Sequence, residues 1–234
     1  MIIRDNLNLP KNVLKVIATL GWAILVYLAW VVLVDSWERS YFAIGALAGQ
    51  IPAEINPFID RYTAHPVQTL LHTGAGLVFA VLGPMQFMSP VRDKFPKIHR
   101  ISGRIFLPFA IASGVAALLM GLSFPVWGKG WNQVITTVAA VFMVFAFVKA
   151  FLHIRKREIL FHRRWMMRGF AIGMGVALFR VFLEDVLQPM GLSFNDSWNI
   201  VMAGCFPVTL AAAEFWIWAT KPKKKMIPAI QATG

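Results

Sequence analysis

From Val16 to Val34 the chain carries no charged residue, a run long enough to cross the hydrocarbon layer of a bilayer as one helix. Comparable apolar runs recur at 67–88, 105–124, 134–151, 165–186 and 198–219. A backbone in hydrocarbon must satisfy its own polar groups, and runs of this length do so as helices. The expected fold is therefore an all-α integral membrane protein with about six transmembrane helices forming one domain between a tail at 1–15 and a basic tail at 221–234. With 58% hydrophobic and 15% charged residues there is little material for a separate soluble domain.

Charge orients these spans. The connections around 90–104 and 149–168 are strongly basic and so are both ends of the chain, whereas the alternate connections are acidic or nearly neutral. Both termini are expected in the cytoplasm of a bacterial inner membrane, with an uncleaved first span as signal anchor. The segment from Asp35 to Pro66 then becomes the longest outer connection, expected to be partly helical and to lie at the membrane surface. The formal charge of +12 follows from this topology, and no basic soluble module or aromatic-interleaved stripe points to nucleic acid. Cys205 is the one cysteine, so a disulfide within the chain is excluded and a packing role is expected.

The two basic connections resemble each other. RDKFPKIHRISGRIF (92–106) and RKREILFHRRWMMRGF (155–170) each place a His-Arg pair seven residues after an arginine and open an apolar run. Spans two and three thus correspond to spans four and five as a parallel hairpin repeat, with His99 and His162 facing each other across a four-helix core.

The stretches HPVQTLLHTGAGLVFAVLGPMQF, KIHRISGRIF and FHRRWMMRGFAIGMGVALFR are similar to a family of bacterial predicted multipass membrane proteins, domain of unknown function 2306. The similarity covers about residues 65–182 and implies fold and location, without an activity.

Two polar clusters follow from helix geometry. His72 and Arg180 both fall roughly 9 Å inside the outer ends of their spans, and Glu184 is one turn from Arg180 on the same helix face. That group is either an outward-facing pocket for an anionic or quinone-like headgroup, with His72 as hydrogen-bond partner, or an internal clamp between spans two and five. At the cytoplasmic side stand His99, His162, Gln86, Glu214 and His153 beside Arg100, Arg104, Arg164 and Arg168. Two facing histidines are the minimum for bis-imidazole ligation of a b-type haem, for which Glu214 or His153 would be the third ligand if the guest were a bare metal ion. The same His-Arg pairs equally suit headgroup anchoring, and the four arginines suit a lipid phosphate or another anion. Treated as one set, His72, Arg180, Glu184 and Glu214 are the intramembrane polar groups. No metal site is assigned. Nucleophile elbows, phosphate loops and zinc-protease helices do not occur in the sequence.

Two functions remain open at this stage. One is a non-catalytic accessory or transport-related protein with structural and lipid-binding His, Arg and Glu clusters. The other is a redox-linked protein holding a haem or quinone between His-bearing helices. Membrane lipids are the expected partners, together with a membrane-protein partner or a second copy of the chain.

Overall fold

A computed structural model describes residues 10–51, 57–123 and 130–220, and all of its regular structure is helical. The expected return around Lys129, the basic tail from Lys221 and most of the N-terminal tail lie outside the described residues. The helices are α1 (Lys11–Leu47), α2 (Pro57–Thr63), α3 (Pro66–Phe87), α4 (Ser89–Lys94), α5 (Pro96–Ser123), α6 (Gly130–Arg155), α7 (Ile159–Arg180) and α8 (Phe194–Ala219). A π-helical stretch, Val181–Leu187, continues α7 directly.

Local chemistry sets several of these boundaries. Proline occupies the first turn of α3 and of α4, where its missing N–H is no loss. Ser193 caps α8: its Oγ accepts from the Asp196 N–H at 3.2 Å and donates to the Asp196 carboxylate at 2.7 Å. The turn between α6 and α7 is closed by Arg157 in the left-handed region at φ 60°.

Five helices are long and apolar enough to cross a membrane by length and composition: α1 from Lys15, α3, α5, α6 and α8. With its all-helical fold, the chain is a multipass membrane protein. The run at 165–186 falls on α7 and its π extension, which is more polar than these five. α7 packs along α6 and α8 and against α1, so its neighbours cover much of its surface. A helix shielded in this way can carry arginines that a lipid-facing helix could not.

Two expectations about helix ends change. The first helix does not stop at Val34 but continues to Leu47, because the Asp35 and Arg39 charges that interrupt the apolar run pair with each other one turn apart. Likewise α5 begins at Pro96 and α7 at Ile159, so His99, Arg100, Arg104 and His162 stand within helices rather than in the loops before them.

α3, α5, α6 and α7 each contribute one phenylalanine to a shared centre. Phe79 stacks on Phe170 with ring centroids 5.0 Å apart, and Phe106 meets Phe147 edge-on at 5.6 Å. Both Phe106 and Phe147 are fully buried. Glycines let the rings approach: a Cβ at Gly83 would lie 2.3 Å from the Phe170 ring, and one at Gly173 would lie 2.4 Å from Phe79. This aromatic plug separates the end bearing the two basic connections, hereafter the basic end, from the far end. Cys205 belongs to a second apolar cluster with Phe179, Leu183, Trp198, Val201 and Met202, consistent with a packing role.

Candidate functional site

At the far end, α1 and α7 with its π-helical continuation bring their charges together around Asp35. Its Oδ1 accepts from Arg39 Nη2 at 2.5 Å and lies 3.2 Å from Arg180 Nε, while Arg180 Nη1 donates to Glu184 at 3.2 Å. Both guanidinium groups are buried, Arg39 at 7% and Arg180 at 8% exposure, whereas the Glu184 side chain is 56% exposed. The Arg39 guanidinium also lies over the Tyr62 ring of α2, 4.8 Å from its centroid. Charges withdrawn from water persist when each meets an opposite charge, and Asp35 supplies that charge to both arginines.

The π-helical turn begins immediately after Arg180. Its wider winding alters the register between Arg180 and the helix that follows, and such insertions recur at functional positions.

Hydroxyl groups extend the far-end network between α1 and α3. Ser40 and Thr73 are 2.7 Å apart, Thr73 donates to the Thr69 carbonyl, and Thr69 donates to the Tyr62 carbonyl. Ser36 presses against Gly76, where a Cβ would come within 2.9 Å of its Oγ.

The expected Arg180–Glu184 pair is present in this geometry, with the difference that the clamp joins α7 to α1 rather than to the second span. His72 turns instead toward α5. Its Nδ1–H donates to the Ser113 carbonyl at 2.9 Å, and Ser113 Oγ donates back to the His72 carbonyl at 3.2 Å. Asp35, Arg39 and Tyr62 were not among the candidate residues. The available signal was the Asp35–Arg39 spacing of one helical turn directly after an apolar run.

The basic end is assembled differently. His99 stands in the first turn of α5 and His162 in the first turn of α7. His162 donates from Nδ1 to the Ala150 carbonyl at 2.9 Å, while His99 Nδ1 is buried without a hydrogen bond to the described residues. His153 pairs with Glu158 across the α6–α7 turn and stacks on Phe161. Gln86 donates to Ser102 at 2.8 Å and so ties α3 to α5. In the connecting helix α4, two hydrogen bonds from Arg92 hold the Asp93 carboxyl below its ordinary range.

Glu214 does not join His72, Arg180 and Glu184. It stands at the basic end, where Arg168 grips it through two bonds, Nε to Oε1 at 2.5 Å and Nη2 to Oε2 at 3.0 Å. This pair forms part of a cleft of about 310 Å³ between α7 and α8, lined by Phe161, Arg164, Trp165, Arg168, Glu214, Ile217 and Trp218. Arg168 lies over the Trp165 ring at 4.8 Å, and Arg164 over Phe161 at 5.9 Å. Arg164 makes no hydrogen bond or ion pair with the described residues. Arg100 and Arg104, on α5, do not line this cleft, so the structure divides the four arginines between two helices. Arg100 bonds back to the Pro96 carbonyl of its own first turn.

The family described as Predicted membrane protein (DUF2306) matches residues 69–217. No curated protein and no solved structure matches the chain.

Proposed function

The chain belongs to the DUF2306 family of predicted membrane proteins, and from that premise and the α7–α8 cleft we propose a non-catalytic accessory protein that binds an anionic phospholipid headgroup. In this reading the protein lies in the bacterial inner membrane with its basic end and both termini in the cytoplasm, and the far-end network is a structural clamp. One observation carries the reading: the cleft places the Arg164 guanidinium, unpaired among the described residues, beside the Arg168–Glu214 pair and two indole rings. Guanidinium groups engage phosphate oxygens as a fork, and tryptophan is favoured at headgroup depth.

The far end favours a clamp because its buried arginines already hold carboxylates. The centre favours an accessory role over transport. A transported solute needs a polar route between the two charged ends, and the four phenylalanines fill the space where α3, α5, α6 and α7 converge. The same rings bear on the haem reading. Phe106 and Phe170 follow His99 and His162 by about two helical turns, roughly 10–12 Å along the axis, in the volume that a macrocycle extending from those ligands would enter.

The test is lipid retention. Protein purified in mild detergent should carry about one tightly held phospholipid per chain, and the Arg164→Ala, Arg168→Ala double variant should lose most of it while remaining helical and monodisperse. Equal retention by the variant, or none by the wild type, would remove the cleft from consideration as a lipid site.

A further inference from the structure

We infer that the outward face of α1 is the seam of a parallel homodimer, in which α1 of one chain packs along α1 of a second copy. This lies beyond the lipid-binding reading of the α7–α8 cleft and does not depend on it.

Among the five long apolar helices α1 has the highest hydropathy and the least cover. Its most apolar stretch is 11% buried inside the chain, against 28–44% for the other four. The bundle takes one face only, where Leu28, Ala29, Val32, Ser36, Arg39 and Ala43 are buried. On the opposite face apolar side chains recur at alternating steps of three and four residues. Val13, Leu20, Tyr27, Val34 and Tyr41 form one row with a spacing of seven, and Val16, Ala23, Trp30, Trp37 and Ile44 form a second row offset by three. All of them are exposed. A repeat of 3.5 residues sustained over successive heptads is the a and d pattern of a coiled coil. Lipid chains impose no such period on the residues they touch.

The rings of this seam also favour protein over lipid. Tyr27 stands about 10 Å inside the far end of the charge-free run that closes at Val34, with Trp30 one turn away. At that depth hydrocarbon offers no acceptor to a phenol or an indole donor, whereas a protein surface can.

Shape specifies the second copy. Copies inserted into one membrane share an orientation, so their α1 helices run parallel. In a parallel pair the side chain at an a position enters a hole framed by the d, g, a and d positions of the facing helix. For Tyr41 that hole is made by Trp37, Ser40, Tyr41 and Ile44. These four residues line a cavity of about 310 Å³, completed by Gly45, Gln50 and Ile51. The cavity therefore lies where a two-fold relation requires a receptor for the partner's Tyr41, and Trp37, 69% exposed, stands at its edge. A two-fold interface needs knob and hole on the same patch, and α1 carries both.

Oxidative cross-linking of full-length protein in isolated membranes tests this, in a Cys205→Ser background. Val34→Cys and Ala23→Cys place single thiols on the seam. Gly21→Cys places one on the flank of the same helix, where an added Cβ meets nothing within 4 Å, and Val138→Cys places one on the outward face of α6. The two seam variants should form a disulfide-linked species of twice the chain mass several-fold faster than the two controls, because only facing positions bring the thiols within bonding distance. Adding Trp37→Ala and Tyr41→Ala to Val34→Cys should weaken association by about tenfold or more. Both rings point away from the bundle, so that variant should keep its helical content and expression. Equal yields at all four positions, no dimer at either seam position, or an undiminished dimer after loss of both rings would overturn the inference. An adduct whose mass reveals a different protein on the seam would overturn it as well.

Discussion

Asp35 and Glu184 both pair with Arg180, but they differ in what each leaves behind when removed. Without the Asp35 charge, two guanidinium groups buried to more than nine-tenths lose a shared partner. Glu184 is more than half exposed and its pairing is screened by solvent. Asp35→Asn should therefore destabilise the protein by about 3–5 kcal/mol, against at most about 1 kcal/mol for Glu184→Gln. Thermal unfolding of the two variants in detergent checks the order. A larger loss for Glu184→Gln would show that the clamp is not anchored on α1.

At the scale of elements, α3 and α7 meet by fitting rings against glycines. Gly173→Ala drives a methyl group into the Phe79 ring, with Cβ 2.4 Å from Cζ, and the displaced ring is itself packed against Phe106, Phe147 and Phe170. The expected cost is about 1–3 kcal/mol. Gly74, on the same α3 helix, has nothing within 4 Å of its added Cβ. Gly74→Ala should be neutral or stabilising by up to about 1 kcal/mol, because alanine is the better helix former. Comparing melting temperatures of the two variants separates ring packing from helix propensity. Similar shifts in both would mean that the aromatic centre tolerates displacement. The π-helical turn belongs to this scale as well. It joins α7 to a segment that packs on α8, which lets one helix hold the Arg180 clamp and still turn Leu183 into the second cluster.

For the whole molecule, the proposed topology predicts that reporters fused at either terminus will show cytoplasmic signals, while one inserted near residue 50 will face the opposite side. A terminus that reports from outside would reverse the assignment of the basic end. The filled centre yields a second expectation: protein expressed with ample haem should show no stoichiometric Soret band in either oxidised or dithionite-reduced spectra. If a band appears and is lost in both His99→Ala and His162→Ala, the phenylalanine cluster must open to admit a macrocycle, and electron transfer becomes the leading account.

Much of the architecture was legible along the chain. Apolar runs separated by basic connections identify a multipass helical protein, since hydrocarbon leaves a backbone no cheaper way to satisfy its polar groups. The Arg-to-His spacing marks two similar helix entrances, at His99 on α5 and at His162 on α7. The partners of the isolated charges were not legible. Helical periodicity places Glu184 beside Arg180, yet it carries no information about which neighbour approaches from across the bundle. Asp35 reaches Arg180 because α1 continues past its apolar run and lies against α7, and Glu214 reaches Arg168 because α8 packs along the other flank of that helix. Which neighbour approaches is a matter of three-dimensional fit between residues distant in the chain.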